Sequence, residues 1–146
     1  MYKLLIVEDD FIIAKGLQKH FEKYHYDVQY IEDFEHVLDE FLEFQPDLVL
    51  LDIHLPFFDG YYWCQEIRKI SQVPIVFISS ANENMNIVLA MNMGGDDFIN
   101  KPFDFQVVQA KLQAILRRTY SFSKDFHLLT YQDVHLDILA GKITYE

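Results

Sequence analysis

The sequence is short of the residues on which several protein classes depend. Its single cysteine, Cys64, excludes an internal disulfide framework. Basic residues are also scarce: 12 lysines and arginines face 23 acidic residues, and the formal charge of -11 would repel nucleic acid and anionic membranes. We find no apolar run long enough to span a bilayer and no signal peptide. These deficits favour a cytoplasmic protein that binds neither membrane nor, by itself, DNA.

What the sequence does contain is an alternation of strand and helix patterns. Continuous short apolar runs, typical of buried parallel strands, alternate with segments of helical periodicity. Strands are predicted at about 3–7, 28–31, 48–52, 75–78 and 97–100, and helices at about 11–24, 34–42, 61–70, 84–93 and 105–118. The pattern predicts an α/β fold with a doubly wound, five-stranded parallel sheet and five helices.

Charged residues follow three of these strands at the point where each strand ends. Glu8 and Asp9 follow the first strand, Asp52 ends the third, and Lys101 follows the fifth. Because the carboxyl ends of parallel strands share one edge, we expect these side chains to lie together. Two carboxylates about 5 Å apart repel by roughly 3 kcal/mol at an effective dielectric near 20, so the cluster needs cations. Lys101 supplies one charge, and the remaining hard oxygen ligands suit Mg²⁺ and phosphoryl-transfer chemistry.

The character of the sequence changes after Arg118. A short linker is predicted at 121–123, and residues 124–146 alternate in the manner of short antiparallel strands. Such strands without a covering helix are not stable alone. We therefore expect one domain over 1–120, followed by a linker and the start of a second domain, an antiparallel sheet that this chain does not complete.

Five motifs, in order and at the right spacing, resemble the receiver domain of bacterial two-component response regulators. They are VEDD (7–10), LDIHLP (51–56), DG (59–60), Ser79 and GGDDFINKPF (94–103). The Asp96 and Asp97 pair, Arg117 with Arg118, and the strand-rich tail are similar to the OmpR/PhoB subfamily, whose winged-helix DNA-binding domain opens with a small antiparallel sheet. The run GYYWC (60–64) resembles more narrowly the BceR/GraR regulators. The resemblance implies a flavodoxin-like (CheY-like) sheet of order 2-1-3-4-5 and an incomplete winged-helix effector domain over 124–146.

The resemblance also implies a role for each site residue. Asp52 would accept a phosphoryl group from a sensor histidine kinase. Lys101 and Ser79 would contact the phosphoryl oxygens, and Ser79 with Phe98 would form the conformational switch. The Mg²⁺ ligands would be Glu8, Asp9, Asp52 and the backbone carbonyl of His54. The protein would thus be a phosphoacceptor rather than an enzyme. It would nevertheless assist its own phosphorylation and also its own autodephosphorylation, which would be slow.

The implied output is a two-fold dimer formed by the fourth helix, the fifth strand and the fifth helix. Asp97 of one subunit is expected to pair with Lys111 of the other. The remaining residues expected at this interface are Ile87, Asp96, Val107 and Arg118. Phosphorylation would strengthen the dimer and control transcription through a DNA-binding domain that is missing from this chain.

Other functions share parts of this pattern. A Mg²⁺-dependent aspartyl phosphatase of the haloacid dehalogenase type needs a second aspartate two residues after its nucleophile, where this chain has His54. A flavin carrier of flavodoxin type needs a Ser/Thr/Gly-rich phosphate loop after the first strand, where this chain has three acids. A stand-alone receiver that acts by protein binding stays open. Asp10 could merely cap the first helix, and Phe98 could be ordinary core packing.

Overall fold

The computed structural model of the protein describes residues 1–80 and 84–121. The chain divides into a first unit, Met1–Ala110, and a second unit that begins at Lys111. The whole sheet belongs to the first unit. In the second unit the described residues are the end of the fifth helix and a π-helical turn, Arg117–Ser121. The predicted strands at 124–146 lie outside the described residues.

The sheet has five parallel strands in the order β2-β1-β3-β4-β5, which confirms the predicted order. The strands are β1 (Lys3–Val7), β2 (Asp27–Tyr30), β3 (Leu48–Asp52), β4 (Ile75–Ser79) and β5 (Asp97–Asn100). Every residue of β3 and β4 is buried, because helices cover both faces of a parallel sheet. This explains why these strands are continuous apolar runs and not alternating ones.

Five helices connect the strands. They are α1 (Phe11–Glu22), α2 (Val37–Phe44), α3 (Gly60–Arg68), α4 (Asn84–Asn92) and α5 (Phe105–Leu116). Under one face of the sheet, a core cluster joins strand residues such as Leu5 and Val7 to Phe41 of α2, Trp63 of α3 and Ala90 of α4. On the other side α1 meets α5, where the side chains of His20 and Gln109 lie 2.7 Å apart.

Several helix boundaries differ from the prediction; α1 and α3, for example, end at Glu22 and Arg68, each two residues early. Helix α2 begins at Val37 and not near Phe34, because Asp33 and Glu40 hold the preceding residues in a turn. The Glu40 carboxylate accepts the backbone N–H of Asp33 at 3.0 Å, which competes with the first helical turn. Helix α5 ends at Leu116, two residues before the predicted Arg118, and a π-helical turn follows.

Among the described residues, no helix is both long and apolar enough to cross a membrane.

Candidate functional site

The carboxyl edge of the sheet brings three acids and one lysine together. Glu8 and Asp9 follow β1, Asp52 ends β3 and Lys101 follows β5. One oxygen of each acid lies within 4.8 Å of one oxygen of each of the others. The Lys101 Nζ lies 2.7 Å from Glu8 Oε1 and donates a hydrogen bond to Asp52 Oδ2 at 3.1 Å. Strands that are distant in sequence therefore assemble one charged cluster, which we call the acidic site: Glu8, Asp9, Asp52 and Lys101.

Burial differs sharply among the members of the acidic site. Glu8 is 2% exposed and Asp52 is 3% exposed, whereas Asp9 is exposed. A ligand from solvent therefore meets Asp9 first and finds the other two carboxylates recessed behind it. The acidic site therefore has one solvent-exposed carboxylate, Asp9, and two buried carboxylates that need a charged partner inside the protein.

The electrostatics of Glu8 reflect this recess. Burial, with the nearby charge of Asp52, raises the pKa of Glu8 to about 7, although contacts with Lys101 and with the backbone N–H of Asp10 oppose the rise. Burial alone would lower the pKa of Lys101, but its contacts with Glu8 and Asp52 outweigh that effect and raise it. Lys101 therefore stays charged while it neutralises only part of the cluster.

The acidic site fits a hard divalent cation. Glu8 Oε1 is fully buried and accepts no well-aligned hydrogen bond within the described chain, even though Lys101 Nζ lies close to it. Lys101 and Glu8 still form an ion pair, because Coulomb attraction does not depend on hydrogen-bond alignment. Carboxylate oxygens are the ligands that Mg²⁺ prefers, and it needs only one or two of them beside water and phosphate oxygens. Glu8, Asp9 and Asp52 are the side chains that could hold it.

Local backbone structure fixes the strand end at Asp52 and the start of α1. The N–H of Gly60 donates to the carbonyl of Ile53 at 2.8 Å, and a Cβ at position 60 would overlap the carbonyl oxygen of Asp52. The start of α3 therefore packs directly on the strand end, which only glycine permits. Asp10 caps α1 by accepting the N–H groups of Ile12 and Ile13, as its alternative structural role predicted.

Ser79 lies on β4, which is next to β3, and Phe98 lies on β5, the edge strand beyond β4. Ser79 ends β4 and is fully buried, and its carbonyl accepts the N–H of Lys101 at 2.8 Å. Phe98 of β5 is partly buried and packs against the core cluster. His54 is exposed in the loop after β3. The structure thus places Ser79 beside the segment that carries Lys101, and the switch role of Ser79 and Phe98 stays a prediction.

The residues predicted for a dimer interface lie on α4, β5, α5 and the turn after α5, except Asp96, which lies just before β5. Val107 of α5 is 49% exposed and Ile87 of α4 is half-buried. The carboxylate of Asp97 accepts the N–H of Phe98 at 2.8 Å. Lys111 lies in α5, and Arg118 lies in the π-helical turn of the second unit.

Arg68 has a role that the sequence did not suggest. Its guanidinium donates to the carbonyls of Val73 and Gly94 at 2.6 and 2.8 Å, and it forms an ion pair with Asp96 at 3.1 Å. The same Asp96 oxygen accepts the N–H of Ile75 at 2.8 Å. Arg68 therefore ties the end of α3 to the segments before β4 and β5. A lone arginine at a helix end carries no sequence signal for this role, because two of its partners, Gly94 and Asp96, are 26 and 28 residues away.

Comparison with known proteins identifies the family. Residues 4–113 match the family described as response regulator receiver domain, so the chain belongs to that family. It is 54% identical over 120 residues to the transcriptional regulatory protein YvcP of Bacillus subtilis, covering 82% of this chain and 51% of YvcP. It is 44% identical over 142 residues to the response regulator protein GraR of Staphylococcus aureus, covering 97% of this chain and 63% of GraR.

A solved structure supports the same conclusion. The N-terminal domain of the nisin resistance regulator NsrR, a lantibiotic response regulator, is 51% identical with a TM-score of 0.74 and covers 80% of this chain and 99% of that one. The predicted resemblance to receiver domains and, more narrowly, to GraR is confirmed. The chain spans about half of YvcP and 63% of GraR, so it matches only part of these relatives.

Proposed function

We propose that this chain is a phosphoacceptor signalling domain in which Asp52 accepts a phosphoryl group from a sensor histidine kinase in the cytoplasm. The observation that carries the proposal is the recessed Asp52 carboxylate, held 3.1 Å from Lys101 Nζ beside two further carboxylates. The acidic site needs a cation to neutralise its carboxylates, and the exposed Asp9 is the acid that faces solvent. Mg²⁺ would be held by Glu8, Asp9, Asp52 and the His54 carbonyl.

The transfer is a displacement at phosphorus. An Asp52 carboxylate oxygen attacks the phosphorus of a phosphohistidine, a P–O bond forms, and the P–N bond breaks with its electron pair returning to the imidazole, which takes up a proton. Lys101 pairs with Asp52 beforehand and with a phosphoryl oxygen afterwards, and the Ser79 hydroxyl donates to another phosphoryl oxygen. When bound, Mg²⁺ supplies positive charge that offsets the charge on the carboxylates and the phosphoryl oxygens.

The proposed chemistry can be tested with a small phosphodonor. Acetyl phosphate with Mg²⁺ should give an acid-stable, base-labile acyl phosphate on wild type, and none on Asp52→Ala. Asp33→Asn is the matched control, because Asp33 is an exposed acid in the loop after β2, at the same edge of the sheet as Asp52. It should label like wild type. Undiminished labelling of Asp52→Ala would refute the assignment.

The proposed output is a dimer formed through α4, β5 and α5. Exposed apolar side chains on these helices support it: Val88, Leu89, Met91 and Val107. Asp97 of one subunit would pair with Lys111 of the other, and Arg118 and Ile87 would add contacts. Asp96 already pairs with Arg68 in its own subunit, so it would add only a second contact. A partly apolar interface would associate to some degree before phosphorylation.

The dimer proposal has a direct test. Sedimentation with and without beryllofluoride, a phosphoryl mimic, should show a stronger dimer when the mimic is present. Lys111→Glu should weaken that dimer, whereas Lys15→Glu on α1 should leave it unchanged. A Lys111→Glu protein that dimerises like wild type would place the interface on another face.

The proposed consequence is transcriptional control. Domain 1–120 would be the receiver, 121–123 the linker and 124–146 the first strands of a winged-helix domain that binds DNA, consistent with the longer relative YvcP, which is named as a transcriptional regulatory protein. The alternative is a stand-alone adaptor that acts by binding other proteins. An aspartyl phosphatase is disfavoured because His54 occupies the position of the acid that this reaction needs.

A further inference from the structure

A strained turn follows the proposed phosphoacceptor. The N–H of Phe58 donates to the carbonyl of Pro56 at 2.9 Å, which closes a three-residue γ-turn with Phe57 at its centre. Phe57 has a φ of 70°. A γ-turn with positive φ is the rare and strained form, and a bulky residue at positive φ is an outlier in folded proteins. A glycine would adopt this conformation without strain.

The fold buries little of Phe57 in return. Its side chain is 69% exposed, and within residues 1–80 and 84–121 its ring stacks on no other ring. The adjacent Phe58 behaves differently: its ring stacks on Tyr62 at 4.3 Å and meets Trp63 edge-on at 5.6 Å. The structural aromatic of this loop is therefore Phe58, and the ring of Phe57 projects to solvent at a cost to stability. Backbone strain of this kind concentrates at functional sites.

The turn is fixed beside the entrance to Asp52. Gly60, which contacts the Asp52 backbone, lies three residues after Phe57, and three residues span at most about 11 Å. Because Asp52 is recessed, a protein that brings a phosphoryl group to it must cover the surrounding rim. The start of α1 adds the exposed Phe11 and Ile12 to that rim. Apolar side chains therefore stand where a phosphodonor protein has to make contact.

We propose that Phe57 is a specificity-determining contact for the phosphohistidine-bearing domain of the sensor kinase. This inference rests on the proposed function. The kinase would bury the ring in its own surface, and the rigid turn would present that ring with little loss of conformational entropy. Burying a phenylalanine side chain is worth about 10-fold to 100-fold in an equilibrium constant. Small phosphodonors do not cover the rim and would not use the contact.

The test compares protein and small-molecule phosphodonors on Phe57→Gly. The protein donor is the purified cytoplasmic portion of whichever sensor kinase of the source organism labels wild type fastest. We expect kcat/KM with this kinase to fall about 10-fold or more and the rate with acetyl phosphate to stay the same. The melting temperature should rise by about 2–5 °C because the strain is relieved. Phe57→Tyr, which keeps the ring, should retain most of the transfer rate.

His25→Gly is the matched control. His25 is exposed, has a φ of 68° and lies before β2 at the opposite edge of the sheet. The His25→Gly variant should gain similar stability, and it should accept phosphoryl groups from both donors at the wild-type rate. Equal kinase rates for wild type and Phe57→Gly would overturn the inference, as would an equal loss with both donors, which would assign Phe57 to the chemistry. If wild type accepts phosphoryl from neither donor, the proposed function itself fails.

Discussion

Raising the pH should weaken the metal-free domain through Glu8. The Glu8 side chain is fully buried, and burial raises its pKa from 4.5 to about 7. Between these values the folded protein holds a proton that the unfolded chain has released. The unfolded state then binds fewer protons, so the free energy of unfolding falls as the pH rises.

The size of the effect follows from the difference between the two pKa values. One unit corresponds to about 1.4 kcal/mol, so the 2.5 units between 4.5 and about 7 correspond to about 3 kcal/mol. The stabilisation is fully present below pH 4.5 and is lost as the pH rises through about 7. That is a large fraction of the stability of a typical domain, about 5–15 kcal/mol.

The assay is urea denaturation in EDTA at several values between about pH 5 and 8. Wild type should lose stability across this range, and Glu8→Gln, which cannot ionise, should lose much less. Subtracting the two curves cancels the exposed groups that titrate in the same range, such as His36. Saturating Mg²⁺ should flatten the wild-type curve, because a bound cation favours the ionised carboxylate.

Parallel curves for wild type and Glu8→Gln would refute this reasoning. They would mean that Glu8 is already ionised in the folded protein and that Lys101 compensates for its burial completely. Magnesium affinity supplies a second check. It should increase with pH up to about 7 in wild type, because the ion then displaces one proton less.

Three further substitutions test the structural account by urea denaturation. Gly60→Ala should lower the free energy of unfolding by about 1–3 kcal/mol or more, because the added Cβ overlaps the Asp52 carbonyl and the strand end must shift. Arg68→Ala should cost about 2–3 kcal/mol by leaving the carbonyls that it binds without their donor. Asp10→Ala should cost about 1 kcal/mol through loss of the α1 cap.

Each of these variants has a matched control. Gly16→Ala should cost less than Gly60→Ala, since its Cβ meets only the far end of the Phe105 ring, which can move. Arg68→Lys should restore little, because one ammonium cannot replace a fork that binds several acceptors. Asp10→Asn should be close to wild type because asparagine is an equally good cap. The opposite order in any pair would contradict the corresponding contact.

The acidic site shows how far sequence reasoning reaches. Apolar runs that end in Glu8, Asp52 and Lys101 were enough to predict one cluster, because parallel strands in such a sheet place their carboxyl ends at the same edge. The helical stripe beginning at Phe34 was misleading. There the local hydrogen bonds of Asp33 and Glu40 exclude the first helical turn, and periodicity contains no information about them.

By itself, the sequence determined the α/β class, the five strands, the sheet order through its family motifs, and the residue types of the acidic site. Only the tertiary structure decided which carboxylates are recessed, how burial raises the pKa of Glu8, what Arg68 holds, and that Phe57 sits in a strained turn. The division has a physical cause. Periodicity and strand ends are local or follow from one topological rule, whereas desolvation, hydrogen-bond partners 26 residues away and backbone strain depend on the packed surroundings.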